Sequence, residues 1–101
     1  MRLSPETIQH QLSALPHWVL IEDALCAEFN FSGFSEALAF ILRVGLEAEK
    51  ADHHPEIRNI YNRVSFRLST HEAEGITQRD FELAARINTL LPSSTGIEKT
   101  N

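Results

Sequence analysis

Apolar positions along this chain follow two alternating rhythms. In "SPETIQHQLSAL", Ile8, Leu12 and Leu15 recur at helical spacing. Ser4 suits the N-cap, Pro5 the first turn, and Pro16 stops the helix. "HWVLIED" reads as a strand. "LCAEFNF" reads as a second, with Leu25, Ala27, Phe29 and Phe31 on one side and Cys26, Glu28 and Asn30 on the other. Asp23 and Ala24 fall where the hairpin turn belongs, although they are a weak turn pair.

The helical rhythm returns in "SEALAFILRVGLEAEKAD", where Ala37, Ile41, Val44 and Ala48 form a stripe. Leu38, Phe40, Leu42 and Leu46 widen it beyond what one sheet face needs. A broad core face and a subunit contact both account for that width. "EIRNIYNRVSFRLST" reads as a second hairpin turning near Asn59 to Asn62, with Val64, Phe66 and Leu68 alternating against Ser65, Arg67 and Ser69. "HEAEGI" reads as a loop. "TQRDFELAARINTLL" is the last helix, with Thr77 as N-cap, Asp80 three residues on, and Pro92 closing it.

The order α-β-β-α-β-β-α predicts an α+β fold: a two-layer sandwich with one four-stranded antiparallel sheet, helices on one face and the other face open. A single domain is expected over 1–92, with 93–101 as a polar, flexible tail.

Composition narrows the function. A net charge of −5 argues against a nucleic-acid backbone binder and against a polybasic membrane contact. The lone cysteine, Cys26, forms no intrachain disulfide and no cysteine metal cluster, which fits a reducing compartment. It sits in a strand among apolar residues and reads as packing rather than as a nucleophile. "MRLSPETIQH" has no apolar signal core, and "ALAFIL" is too short to span a bilayer, so a cytoplasmic protein is expected.

The candidate chemistry lies in the histidines. His10 and His17 read as solvated surface. His53 and His54 precede the second hairpin and His71 follows it, so the hairpin carries all three to one sheet end, where they can share a cleft. Solvated loop histidines, a metal site and proton transfer are the readings to weigh. Adjacent histidines are awkward as joint zinc ligands, and no His-Glu-x-x-His pattern is present. Imidazoles titrate near neutral pH, so one can donate while another accepts, with Glu49 and Asp52 orienting them.

"EKADHHPE", Tyr61, "STH" and "GITQRD" together resemble the pterin-4a-carbinolamine dehydratase family. Glu49, His53, His54, Pro55, Tyr61, His71 and Asp80 fill every position of that family's spacing. The resemblance implies the same two-layer fold and the dehydration of 4a-hydroxytetrahydropterin to quinonoid dihydropterin, without metal or organic cofactor. It implies a pterin substrate and a homodimer or homotetramer built through helices and sheet edges. In animals, members also serve as the dimerisation cofactor of a hepatocyte homeodomain transcription factor. The implied roles are proton transfer for His53 and His71, and assistance or ring positioning for His54. Glu49 and Asp52 would line the pterin pocket, with Ser69 and Thr70 offering backbone groups. Asp80 either orients a histidine or only stabilises the start of the last helix. Pro55 and Tyr61 would be structural, the tyrosine packing on the hairpin. A non-catalytic pterin-binding or partner-regulating module with this fold is the alternative.

Overall fold

The computed structural model describes residues 1–92; the tail expected at 93–101 lies outside the described residues. Helix α1 (Pro5–Leu12) starts as its sequence dictates, with Ser4 Oγ accepting the Thr7 N–H at 3.1 Å. It is a light cover: Ile8 and Leu12 only half-bury against the core margin.

Strands β1 (Val19–Ile21) and β2 (Ala24–Asn30) form the first hairpin, and its turn corrects the expected one. The turn residues are Glu22 and Asp23, with Glu22 in the left-handed region at φ 50°, and Ala24 is already a paired, fully buried strand residue. Register explains the shift. The observed turn sets the exposed Leu20 of the edge strand opposite the buried Leu25. A turn at Asp23–Ala24 would put Glu22 opposite Leu25 and set a carboxylate, in place of the Leu20 side chain, beside a core residue.

Helix α2 (Phe34–Ala51) buries Ala37, Phe40, Val44 and Ala48. Phe40 therefore belongs to the core rather than to the extra width, and Ile41 packs only at the margin. Leu38, Leu42 and Leu46, joined by Phe34, form an outward apolar row, with Leu42 64% and Leu46 59% exposed.

Strands β3 (Glu56–Ile60) and β4 (Arg63–Leu68) form the second hairpin around Tyr61 and Asn62, within the expected turn. Tyr61 does not pack on the hairpin as expected; it is exposed at the tip in the left-handed region, φ 53°. Asn59 braces this bend by donating from Nδ2 to the carbonyls of Tyr61 and Arg63, at 3.1 and 2.8 Å. The segment after β4 is not all loop: His71–Ala73 is a single 3₁₀ turn, framed by a bridge between Thr70 and Gly75. Helix α3 (Gln78–Thr89) follows, and a complete capping box between Thr77 and Asp80 sets its start.

The antiparallel sheet has the order β1-β2-β4-β3. Its inner face and the two long helices enclose an aromatic cluster, with Phe29, Phe40 and Phe66 ring centroids 5.8–6.1 Å apart. Trp18 closes one end. Its indole N–H donates to Asn88 Oδ1 at 2.9 Å, and Asn88 Nδ2 donates to the Pro16 carbonyl, which fastens the entry to β1 onto α3. The outer face is open, with Val19, Ile21 and Ile60 exposed on its edge strands; in its middle the pairing sets Arg67 between Cys26 and Glu56, and Ser65 between Glu28 and Arg58.

An ion pair joins α2 to α3, with Arg86 Nε donating to Glu47 Oε1 at 3.0 Å. That hydrogen bond holds the Glu47 carboxyl below the usual carboxylate range and raises Arg86. Among the described residues, no helix is long and apolar enough to cross a membrane.

Phe40 sits where three packed rings meet, so Phe40→Ala should lower unfolding free energy by about 3–5 kcal/mol, read by chemical denaturation.

Candidate functional site

The site starts at the end of α2. Asp52 adopts the left-handed conformation at φ 52° and ψ 43°. Its N–H bonds the Glu49 carbonyl and the His53 N–H bonds the Ala48 carbonyl at 3.1 Å, the paired closure of a Schellman motif. Aspartate is among the few non-glycine residues that tolerate this geometry, which gives it a backbone reason to stand at a helix C-terminus despite the dipole. Arg79 Nη2 donates to the Asp52 carbonyl at 2.5 Å and ties the reversal to α3.

This reversal splits the histidine doublet. His53 turns inward, is 8% exposed, and places Nε2 2.5 Å from Asp80 Oδ1. His54 turns outward and bonds Glu49 Oε1 through Nε2 at 2.8 Å, both side chains being mostly in solvent. Pro55 then leads the chain into β3.

Asp80 is fully buried and contacts both His53 and the start of α3. Its Oδ1 faces His53, while Oδ2 accepts the Thr77 N–H at 2.9 Å and the Thr70 hydroxyl at 2.8 Å. The hydroxyls of Thr70 and Thr77 lie 2.7 Å apart. Among the described residues, no buried side-chain nitrogen or oxygen lacks a hydrogen-bond partner. Burying a carboxylate is tolerable here because its oxygens meet donors in place of water.

The β3–β4 register brings His53 and His71 to the same sheet end, since Glu56 pairs with Arg67. His71 opens the 3₁₀ turn directly after Thr70 and is exposed, and Ser69 is half-buried beside it. Hydrogen bonds thus join His53, Asp80 and Thr70, while His54 pairs separately with Glu49. A cavity of about 290 Å³ between α2 and α3 is lined by His53, Arg79, Glu47, Lys50, Glu82 and Arg86. His54 and His71 stand at the surface outside its lining. Among the described residues, no group of three or more His, Cys, Asp or Glu side chains is arranged to hold a metal ion. Cys26 half-buries on the open sheet face, where burial raises its thiol above the ordinary value and outweighs the opposing pull of Arg67. A raised thiol is a poor nucleophile. Of the two histidines read as solvated surface, His10 is exposed, and His17 lays its ring edge against Phe29 at 5.5 Å.

A family model described as pterin 4 alpha carbinolamine dehydratase matches residues 1–90. The chain belongs to that family. A protein of Burkholderia cenocepacia, provisionally named pterin-4-alpha-carbinolamine dehydratase, is 44% identical over 89 residues, covering 86% of this chain and 87% of its own. A crystal structure described as a transcriptional coactivator/pterin dehydratase from Brucella melitensis superposes with a TM-score of 0.88 at 37% identity, covering 91% of this chain and all of that one. A pterin dehydratase-like protein identified as a RuBisCO assembly factor in the alpha-carboxysome shares the fold, with a TM-score of 0.62 at 22% identity over 76% of this chain and 89% of its own.

Two side chains around the His53–Asp80 pair escape a reading of the sequence. The Thr70 hydroxyl and Arg79 act through partners 10 and 27 residues away, a separation that no local spacing encodes. Thr77 carries a signal, its capping box with Asp80, but that signal speaks of a helix start and not of a histidine.

Asp80→Asn should destabilise the fold by about 3 kcal/mol, because it disturbs a buried pair and a helix cap together. His54→Ala should stay within about 0.5 kcal/mol of the parent. Thermal unfolding of both variants beside the parent checks this contrast.

Proposed function

We propose that the chain catalyses dehydration of 4a-hydroxytetrahydropterin to quinonoid dihydropterin, in the cytoplasm, in support of tetrahydropterin recycling. The observation that carries this reading is the buried His53–Asp80 pair, set at the sheet end that also presents His71. In the substrate, a hydroxyl and a ring nitrogen share one carbon. The nitrogen lone pair expels the hydroxyl when an acid protonates the departing oxygen, and a base takes the proton from a ring nitrogen. Water leaves and a carbon–nitrogen double bond remains. Each such assistance is typically worth about 10²–10⁴-fold.

His53 and His71 are the proton-transfer pair in this proposal. Asp80 orients His53. His54, restrained by Glu49, positions the ring. Glu49 and Asp52 offer carboxylate acceptors to the aminopyrimidine edge, and Ser69 and Thr70 offer backbone groups from the strand end. The reaction as written needs neither a metal nor an organic cofactor.

The outward row on α2 favours self-association into a homodimer or homotetramer, since an apolar strip of this length is costly to leave in water. The same row would equally suit a partner-regulating module, the second reading of this chain.

Freshly prepared 4a-hydroxytetrahydropterin should lose water faster with the protein than without it, followed by ultraviolet absorbance. The double variant His53→Ala, His71→Ala should return the rate to background while the protein stays folded. No acceleration by folded parent protein would move the assignment to the non-catalytic reading. Separately, Leu42→Glu with Leu46→Glu should shift sedimentation to the monomer with unchanged circular dichroism; an unshifted assembly would exclude α2 as its contact.

A further inference from the structure

Proton counting through the buried quartet fixes more than the position of His53. A carboxylate only accepts hydrogen bonds, and a hydroxyl has one proton to give. Thr70 gives its proton to Asp80 Oδ2 at 2.8 Å. Towards Thr77, 2.7 Å away, Thr70 can therefore only accept, so Thr77 donates. The Thr77 oxygen in turn accepts the Arg79 N–H at 3.2 Å. The protons all point one way: Arg79 amide to Thr77, Thr77 to Thr70, Thr70 to Asp80. With the Thr77 amide also on Oδ2, that oxygen holds two donors, and Oδ1 is left to His53. With Asp80 ionised, and so a pure acceptor at 2.5 Å, His53 Nε2 carries the hydrogen.

We propose that the Thr70–Thr77 hydroxyl pair is a positioning device that locks neutral His53 in its Nε2–H tautomer, making Nδ1 the nitrogen that exchanges protons with substrate. This rests on the reading of His53 as a proton-transfer group. The same pair does a second job. Thr70 and Thr77 bracket the segment that carries His71, and the Thr70 N–H bonds the Gly75 carbonyl at 2.8 Å within it. One hydroxyl contact therefore sets the state of one histidine and the placement of the other. All four members are buried, so water does not compete for these bonds.

Replacing the Thr70 hydroxyl by a methyl group of the same shape removes one donor from Oδ2 and takes the acceptor away from Thr77. Nitrogen-detected magnetic resonance of the imidazoles at alkaline pH, where they are neutral, reads the tautomer directly. The parent should show His53 as a single Nε2–H form. Thr70→Val should show a mixture of tautomers and lose about tenfold or more in kcat with KM within about twofold, the pattern of a lost transition-state contribution. Thr70→Ser, which keeps the hydroxyl, should restore both readouts. An Nδ1–H form in the parent overturns the proposal and needs no variant to fold. So does Thr70→Val with tautomer and kcat unchanged, or Thr70→Ser as impaired as Thr70→Val. A protein with the expected tautomer but no dehydration activity would sink the dehydratase reading and leave the hydroxyl chain standing.

Discussion

One buried carboxylate holds the working end of this molecule together. Asp80 has no exposed surface, yet it caps α3, anchors the segment after β4 through Thr70 and receives the ring of His53. An uncompensated charge in that position would cost several kcal/mol. The surrounding chain therefore delivers donors from three separate segments. The Schellman closure at Asp52 brings the histidine, the strand end brings Thr70, and the first turn of α3 brings the Thr77 amide. Remove the carboxylate and those segments lose their common reference point.

The aromatic core makes this meeting point rigid. Phe29 from β2, Phe66 from β4 and Phe40 from α2 interlock at ring distances that leave little freedom for the helix to slide on the sheet. The Glu47–Arg86 pair and the Trp18–Asn88 bond then fix α3 against α2 and against the start of β1. The last turn of α2 and the first turn of α3 face one another as a consequence. The histidine–aspartate contact, between residues 27 apart in sequence, inherits its geometry from that packing.

Much of this was legible in the residues, for identifiable reasons. The alternation in β2 and β4 and the stripes on α2 and α3 reflect burial on one face, which period alone reports. The first turn is ambiguous by one residue in the sequence because neither Glu22-Asp23 nor Asp23-Ala24 is a strong turn pair, and only strand pairing decides between them. Phe40 reads in the sequence like the outward leucines because a stripe's edge cannot be told from its centre until a sheet is laid against it. The family spacing gathered His53, His54, His71, Glu49 and Asp80, but not their directions. That the doublet faces two ways follows from the left-handed residue before it, a backbone state that aspartate permits without announcing.

The split doublet also bears on how such a chain can change over generations. His54 and Glu49 meet in solvent, so either can be exchanged alone with little consequence for the fold. His53, Asp80, Thr70 and Thr77 form a closed set in which every proton already has a destination. A single exchange there strands the remaining members before any compensating one can arise. Sequence change is therefore cheap for the fold at the outward histidine and costly anywhere in the inward quartet, which serves as a fastening whatever chemistry the chain performs.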